Sequence, residues 1–312
     1  MNKPNLTIHV QGATHFLSWE LPYFRKYFNI VDTPDKNNIL FVFGSDALVS
    51  GALLPAKLKV VLLFPGFGYN PYHNIIHRYG MQEVIDQHYD LVFVNPGPLH
   101  EAFRNCKKLR LCPFSINTDV IKLKRPRNKI NNLIHISANT PQKDWTRSRD
   151  IMRLTGLSYE IFPSRNFPIY QRVLRRTRLY LNRKGYFKPN PLYFAGYDSH
   201  HKIIEKYHKY DGFVHIAAET PPLVDGKYTA TLLEAGLTGA ILFWHDTLGL
   251  GNDFETIFNL SVDPLKAADE ILQIRQSINI EAHSKKTAEE IYEHTNPEKI
   301  IRNRFEAIKE LL

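Results

Sequence analysis

Residues 210–239 read YDGFVHIAAETPPLVDGKYTATLLEAGLTG, Tyr210 to Gly239, and three segments of different pattern follow one another there. Gly212 to Ala217 is a short apolar run, as expected of a strand buried on both faces. Glu219 to Lys227 contains two prolines, a glycine and an aspartate and reads as a loop. Tyr228 to Leu237 then takes up helical spacing from threonines able to cap a helix. A strand, a polar loop and a helix in that order aim backbone N–H groups and the positive end of a helix dipole at an anion beyond the strand's carboxyl end. The expectation is a site for an anionic ligand.

Working outward, more short runs of Val, Ile, Leu and Phe alternate with segments of helical spacing. Leu6 to Val10, Ile39 to Phe43, Lys59 to Phe64 and Leu91 to Asn95 read as parallel strands, so the first 120 or so residues form one doubly wound α/β domain. Each strand ends in a loop of functional type: Gly12 and His15 after the first, then GSD at Gly44, PGFGYNPYH at Pro65 and NPGPLH at Asn95. KLKRPRNKINN, Lys122 to Asn132, reads as a basic linker. A second set of runs follows: Leu133 to Ser137, Tyr159 to Phe162, Leu192 to Gly196, the opening strand, Ala240 to Trp244 and Phe258 to Val262. Helical patterns fill 200–210, 264–278, 282–292 and 297–312. The fold class is therefore α/β, with domains at residues 1–124 and 125–296.

Composition narrows the partners. The 312 residues are 43% hydrophobic and 23% charged, ordinary for a globular chain of two domains. No apolar run approaches the ~20 residues that span a bilayer, and the polar opening MNKPNLTIHVQG is unlike a signal peptide; the expected location is the cytosol. Cys106 and Cys112 are the only cysteines and read as reduced structural thiols. A formal net charge of +9 favours negatively charged partners, among them nucleotide phosphates, anionic lipid and nucleic acid. Residues 163–191 concentrate that charge: Arg165, Arg172, Arg175, Arg176, Arg178, Arg183, Lys184 and Lys188 lie among Tyr and Phe. Basic plus aromatic suits an anionic membrane surface or a nucleic-acid groove, and a solvated helix face accounts for it equally.

The run TLLEAGLTG, Thr231 to Gly239, following a small loop and followed by a second apolar strand, resembles the donor-binding element of retaining nucleotide-sugar glycosyltransferases of the GT-B fold (glycosyltransferase group 1, family 4-like). The resemblance implies two Rossmann-like doubly wound domains facing across a cleft, with helix 297–312 packing back on the first. It implies a nucleoside-diphosphate sugar as donor substrate, no permanently bound cofactor and no metal; no D-x-D triplet occurs in the sequence. On this resemblance Glu234 holds the ribose hydroxyls, and Lys143, with Arg147 as second choice, grips the diphosphate. Gly196 abuts the base, and the amides and hydroxyls of Tyr228, Thr229 and Thr231 meet the distal phosphate. Gly12 and His15 fall in a loop where the family places acceptor-side or donor-contacting residues. The family's further glutamate, eight residues before Glu234, is replaced by Gly226; Asp225 or Glu219 is the candidate substitute. Of these, Lys143, Glu234 and His15 are the candidate catalytic residues.

Three functions remain in view. The first is a transferase acting on a glycan or glycolipid acceptor in surface polysaccharide synthesis, peripheral on the inner face of the membrane through Arg172–Lys188. The run YTATLLEAGLTGAILFWHDT also resembles the phage enzymes that glucosylate modified DNA bases, which makes DNA the alternative acceptor. Gly226 supports the third, a catalytically inactive module that binds nucleotide or glycan.

Overall fold

A computed structural model of the chain describes residues 3–10, 14–44, 47–63, 81–97, 100, 103–137, 144–162, 193–194, 198–216, 227–246 and 251–312. The chain opens with β1 (Asn5–Val10), α1 (Thr14–Tyr27), β2 (Asn29–Ile30), β3 (Ile39–Phe43), α2 (Leu48–Ala52), β4 (Leu58–Leu63), α3 (Met81–His88), β5 (Leu91–Val94) and β6 (Leu109–Leu111). These six strands form one parallel sheet in the order β2-β1-β3-β4-β5-β6. Every residue of β3 and β5 is buried, which is why they read as unbroken apolar runs. Alternate side chains face opposite ways. Phe41, Val60 and Phe93 pack with Phe24 and Ile301, whereas Val42, Val61 and Val92 pack with Ile85 and Tyr89.

The second half continues with β7 (Asn132–Ile136), α4 (Trp145–Leu154), β8 (Ser158–Phe162), β9 (Tyr193–Phe194), β10 (Asp198–Ser199), α5 (His200–Lys209), β11 (Gly212–His215), α6 (Ala230–Leu237), β12 (Ile241–Trp244) and β13 (Ile257–Asn259). Its parallel sheet runs β13-β12-β11-β7-β8. The chain goes from β7 outward to β8 and then returns to β11 on the other side. The sheet therefore changes direction between β7 and β11, and in open α/β sheets the crevice beyond the carboxyl ends at that point is where ligands bind. One expectation is corrected in part. Of the run Leu192 to Gly196 only Tyr193 and Phe194 are described, and they pair with Ser199 and Asp198 in an antiparallel ribbon separate from this sheet.

Helices α7 (Pro264–Ser277), α8 (Ile280–Thr295) and α9 (Pro297–Lys309) complete the chain. Their starts follow from their caps: Asp263, Asn279 and Asn296 accept from Lys266, Ala282 and Glu298 backbone N–H groups. Pro297 cannot continue α8 because it lacks an N–H, and it is favourable as the first residue of α9. After that break α9 packs on α1, with the rings of Tyr27 and Phe305 stacked at 5.0 Å. The chain passes between the sheets twice, through 112–131 and at Asn296. The two passages touch where the Ile116 N–H donates to the Thr295 carbonyl at 3.1 Å.

Residues 122–132 are largely exposed but anchored at two points. Ile130 and Arg127 are buried, and the Arg127 guanidinium donates to the carbonyls of Tyr207 (2.6 Å), Thr238 (2.6 Å), Arg125 (3.1 Å) and Tyr210 (3.3 Å). Gly239, the last residue of the quoted stretch, follows the cap of α6 with φ +79. A Cβ there would approach Leu123 Cδ1 and Ser284 Oγ to 2.6 Å, so the position needs glycine for both its backbone and its space.

Candidate functional site

Both sheets are parallel, so each has a single carboxyl edge, and the two edges meet. The Lys227 N–H, just before α6, donates to the carbonyl of Pro96, just after β5, at 2.8 Å. Beneath that contact lies a cavity of about 100 Å³ whose walls include Asn95, Phe114, Tyr228, Phe254 and His294. Lys227 itself is 7% exposed along its side chain and pairs with Asp253 at 2.7 Å. A buried cation at the contact between the sheets, two residues before the cap of a helix, is suited to an anionic ligand.

Helix α6 starts where its cap dictates. Thr229 has extended backbone, and its hydroxyl accepts from the Leu232 N–H and lies 3.2 Å from the Thr231 hydroxyl. The Tyr228 hydroxyl points the other way: it donates to Asn252 at 3.1 Å and accepts from the Asp253 N–H at 2.8 Å. Its ring is wedged against Trp244 and Phe254. Glu234 lies one turn further into α6, is 5% exposed and accepts a 2.7 Å hydrogen bond from Tyr207. Burial, together with the adjacent Glu234 carboxylate, pushes the Tyr207 hydroxyl well above the usual phenol range, so it stays a donor. One carboxylate oxygen of Glu234 is thereby fixed in direction. A carboxylate oxygen has a second lone pair, so the same group can accept a further hydroxyl.

The first turn of α4 follows β7, one of the two strands at the reversal. Asp144 caps it with φ +26, a backbone rarely adopted by a non-glycine residue, and accepts from the Arg147 N–H at 3.0 Å. The same carboxylate pairs with Arg147 Nε at 3.2 Å. Two histidines sit at the carboxyl ends of β7 and β11, the strands on either side of the reversal. His135 and His215 are fully buried, with rings stacked 5.2 Å apart and 7° from parallel.

Of the residues expected from the sequence, Tyr228 lines the cavity; Thr229, Thr231 and Glu234 lie on α6 or at its cap and Arg147 in the first turn of α4, and none of these four is among the residues that line it. Gly12, Lys143, Gly196, Glu219, Asp225 and Gly226 lie outside the described residues, as do the loop PGFGYNPYH and the basic run Arg172–Lys188. His15 falls in the first turn of α1, and its side chain is likewise outside what the structure describes. The sequence reading does not single out Lys227 or His135. The signal for Lys227 is a lysine at the very end of an anion-facing loop; for His135 it is one polar residue inside the apolar run LIHI. Among the described residues no group of three or more His, Cys, Asp or Glu could hold a metal ion. No helix there is long and apolar enough to cross a membrane.

No protein-family model and no curated protein matches the chain. Solved structures do match it. HepE of Anabaena, in complex with UDP and glucose, superposes with a TM-score of 0.63 over 99% of this chain and 100% of that one, at 10% identity. AviGT4, a glycosyltransferase involved in avilamycin A biosynthesis, gives 0.54 over 99% and 98% of the two chains at 9% identity. TarM of S. aureus, in complex with UDP and alpha-GlcNAc-glycerol, gives 0.55 at 12% identity over 88% of this chain and 55% of that one. Likeness at such low identity is likeness of fold, and here it spans both sheets: the chain has the GT-B fold, with two parallel-stranded α/β halves.

Proposed function

We propose that the protein is a glycosyltransferase that moves a sugar from a nucleoside diphosphate to a hydroxyl of a glycan or glycolipid acceptor. The observation that carries this reading is the end-to-end likeness to HepE, whose structure holds UDP and glucose. Residues 1–124, with 297–312 packed back on them, are the acceptor half, and 125–296 are the donor half. Glu234 accepts the two ribose hydroxyls while Tyr207 holds its orientation. Lys143 and Arg147 face the diphosphate, which gains negative charge as it departs; fixed cations there lower the barrier. The Thr229 and Thr231 hydroxyls and the backbone amides of Tyr228, Thr229 and Thr231 take the distal phosphate, with Gly196 at the base, Asp225 at the sugar, and Gly12 and His15 on the acceptor side.

The bond from the anomeric carbon to the diphosphate breaks and the acceptor oxygen bonds to the same carbon. The acceptor's proton passes to the departing phosphate oxygen. Attack from the face that the leaving group occupied gives retention and needs neither a carboxylate nucleophile nor a metal. The basic, aromatic run Arg172–Lys188 supports a contact with an anionic membrane surface on which a lipid-linked acceptor is held.

Thermal-shift measurement with UDP-, GDP-, ADP- and CMP-sugars tests the reading. A donor at about 100 times its Kd adds ~2.7 kcal/mol of stability, a shift of several degrees. Glu234→Ala is expected to weaken that donor at least about tenfold, the worth of a hydrogen bond to a charged group. No shift with any nucleotide sugar rejects the proposal, and a Glu234→Ala protein with full donor affinity rejects the role of Glu234.

A further inference from the structure

Beyond the groups that touch a donor, a chain of hydrogen bonds holds the donor half's reversal point together. A carbonyl only accepts, so His135 Nδ1 carries the hydrogen that it shares with the Val214 carbonyl on β11 at 3.0 Å. In the neutral ring Nε2 is then the acceptor for the Ser137 hydroxyl, 2.7 Å away. The Ser137 oxygen in turn accepts from the Trp145 indole N–H at 2.8 Å. Trp145 is the first residue of α4, immediately after the left-handed Asp144 and two residues before Arg147. A second tie runs alongside: the Ile216 N–H, just past the end of β11, donates to the buried Ser148 hydroxyl of α4 at 3.4 Å. The first turn of α4 is therefore fastened to the carboxyl ends of both strands that flank the crevice.

Nothing in local sequence requires these bonds. Asp144 already caps α4 without them. What they fix is the placement of the α4 first turn, with Arg147 on it, relative to the strand ends. We propose that Ser137, with His135 and Trp145, is a positioning element for the phosphate groups of the donor, acting through α4 and Arg147 without touching the ligand. The inference rests on the transferase reading above.

Calorimetric titration of UDP and of uridine into the full chain and into Ser137→Ala, Ser137→Thr and Trp145→Phe tests it. Ser137→Ala removes the oxygen that both bonds share, while Trp145→Phe keeps a ring and removes only the donor. The expected result is UDP binding weakened about tenfold in Ser137→Ala and several-fold in Trp145→Phe, recovered in Ser137→Thr, with uridine affinity unchanged throughout. Should Ser137→Ala lack a cooperative melt, Trp145→Phe decides. UDP affinity equal to wild type in the folded variants overturns the inference and leaves the transferase reading intact. Loss of UDP and uridine affinity in parallel also overturns it, because that is what a general packing role produces. A wild-type protein that binds none of UDP, GDP and ADP overturns both.

Discussion

One buried arginine lies in the first passage between the halves and another on the helix that follows the second, and the two are neutralised differently. Arg304, on α9, has no exposed surface and pairs with Glu20 of α1 at 2.7 Å, with Cys112 Sγ at 3.2 Å and the Pro113 carbonyl at 3.4 Å completing its shell. Ser115 and Trp19 extend the network, Ser115 donating to Glu20 at 2.6 Å and Trp19 to Ser115 at 3.2 Å. Arg127, in the first passage, has carbonyl oxygens and the Thr238 hydroxyl around it and no carboxylate in contact. The consequence shows in their basicity. Burial lowers both, but for Arg304 the combined pull of Cys112 and Glu20 outweighs it and the net shift is upward. For Arg127 burial dominates, only partly offset by the more distant Asp211, and the net shift is downward. One joint is an ion pair; the other is a cation solvated by backbone.

The largest effect separates these two designs. Glu20→Ala leaves the Arg304 guanidinium buried without its anion and should cost about 3–5 kcal/mol of unfolding free energy, read from urea denaturation. Replacing both partners, Glu20→Leu with Arg304→Met, should cost clearly less than Glu20→Ala alone, because no uncompensated charge remains. Equal costs for the single and the double change would show that packing, and not charge, makes this joint. Arg127→Met should cost less, about 2–3 kcal/mol, spread over the carbonyls it leaves without their donor. No second substitution should rescue it: Asp211→Asn combined with Arg127→Met is expected to couple by about 1 kcal/mol or less in a double-mutant cycle. A larger coupling would make Arg127 a second ion pair and erase the contrast.

Sequence pattern and these joints stand at opposite ends of legibility. Most strands of both sheets are visible because burial on two faces writes unbroken apolar runs, as in ILFVF at 39–43, whereas the two-residue β2, with Asn29 exposed, writes none. The start of α6 is visible because a cap acts within three residues, Thr229 to Leu232. Gly239 is visible as a helix terminator, though its fit against Leu123 and Ser284 is not. By contrast, Arg304 meets a glutamate 284 residues away and Arg127 meets Tyr207 at a separation of 80, so no local pattern marks either as buried. The same holds for the site. Glu234 is proposed through a local motif, whereas the candidacy of Lys227 depends on its bond to Pro96, across the contact between the sheets. Tyr193 and Phe194 differ for another reason: apolar content fixes that a short strand forms, not which partner it pairs with.

The smallest effect is a pH dependence carried by the Arg127 joint alone. His208, on α5, has a buried Nε2 with no hydrogen-bond partner among the described residues, and Lys124 and Arg127 lie near it. Burial first, then those two cations, depress its pKa from 6.5 to about 4. In the unfolded chain His208 takes up a proton near pH 6.5, while in the folded chain it does not do so until about pH 4. Its contribution to stability is therefore complete above pH 6.5 and lost as the pH falls through that window. Arg127→Met removes one of the cations, so folded His208 should titrate at a higher pH, visible in the imidazole resonances. The stability lost between pH 7.5 and 5 should then be smaller than in wild type, although the variant is less stable at both. Arg304→Met, far from any such histidine, should leave that difference unchanged. If the Arg304 variant flattened the acid limb as much as the Arg127 variant, the acid sensitivity would belong to the fold as a whole and not to the joint whose cation is held by carbonyls.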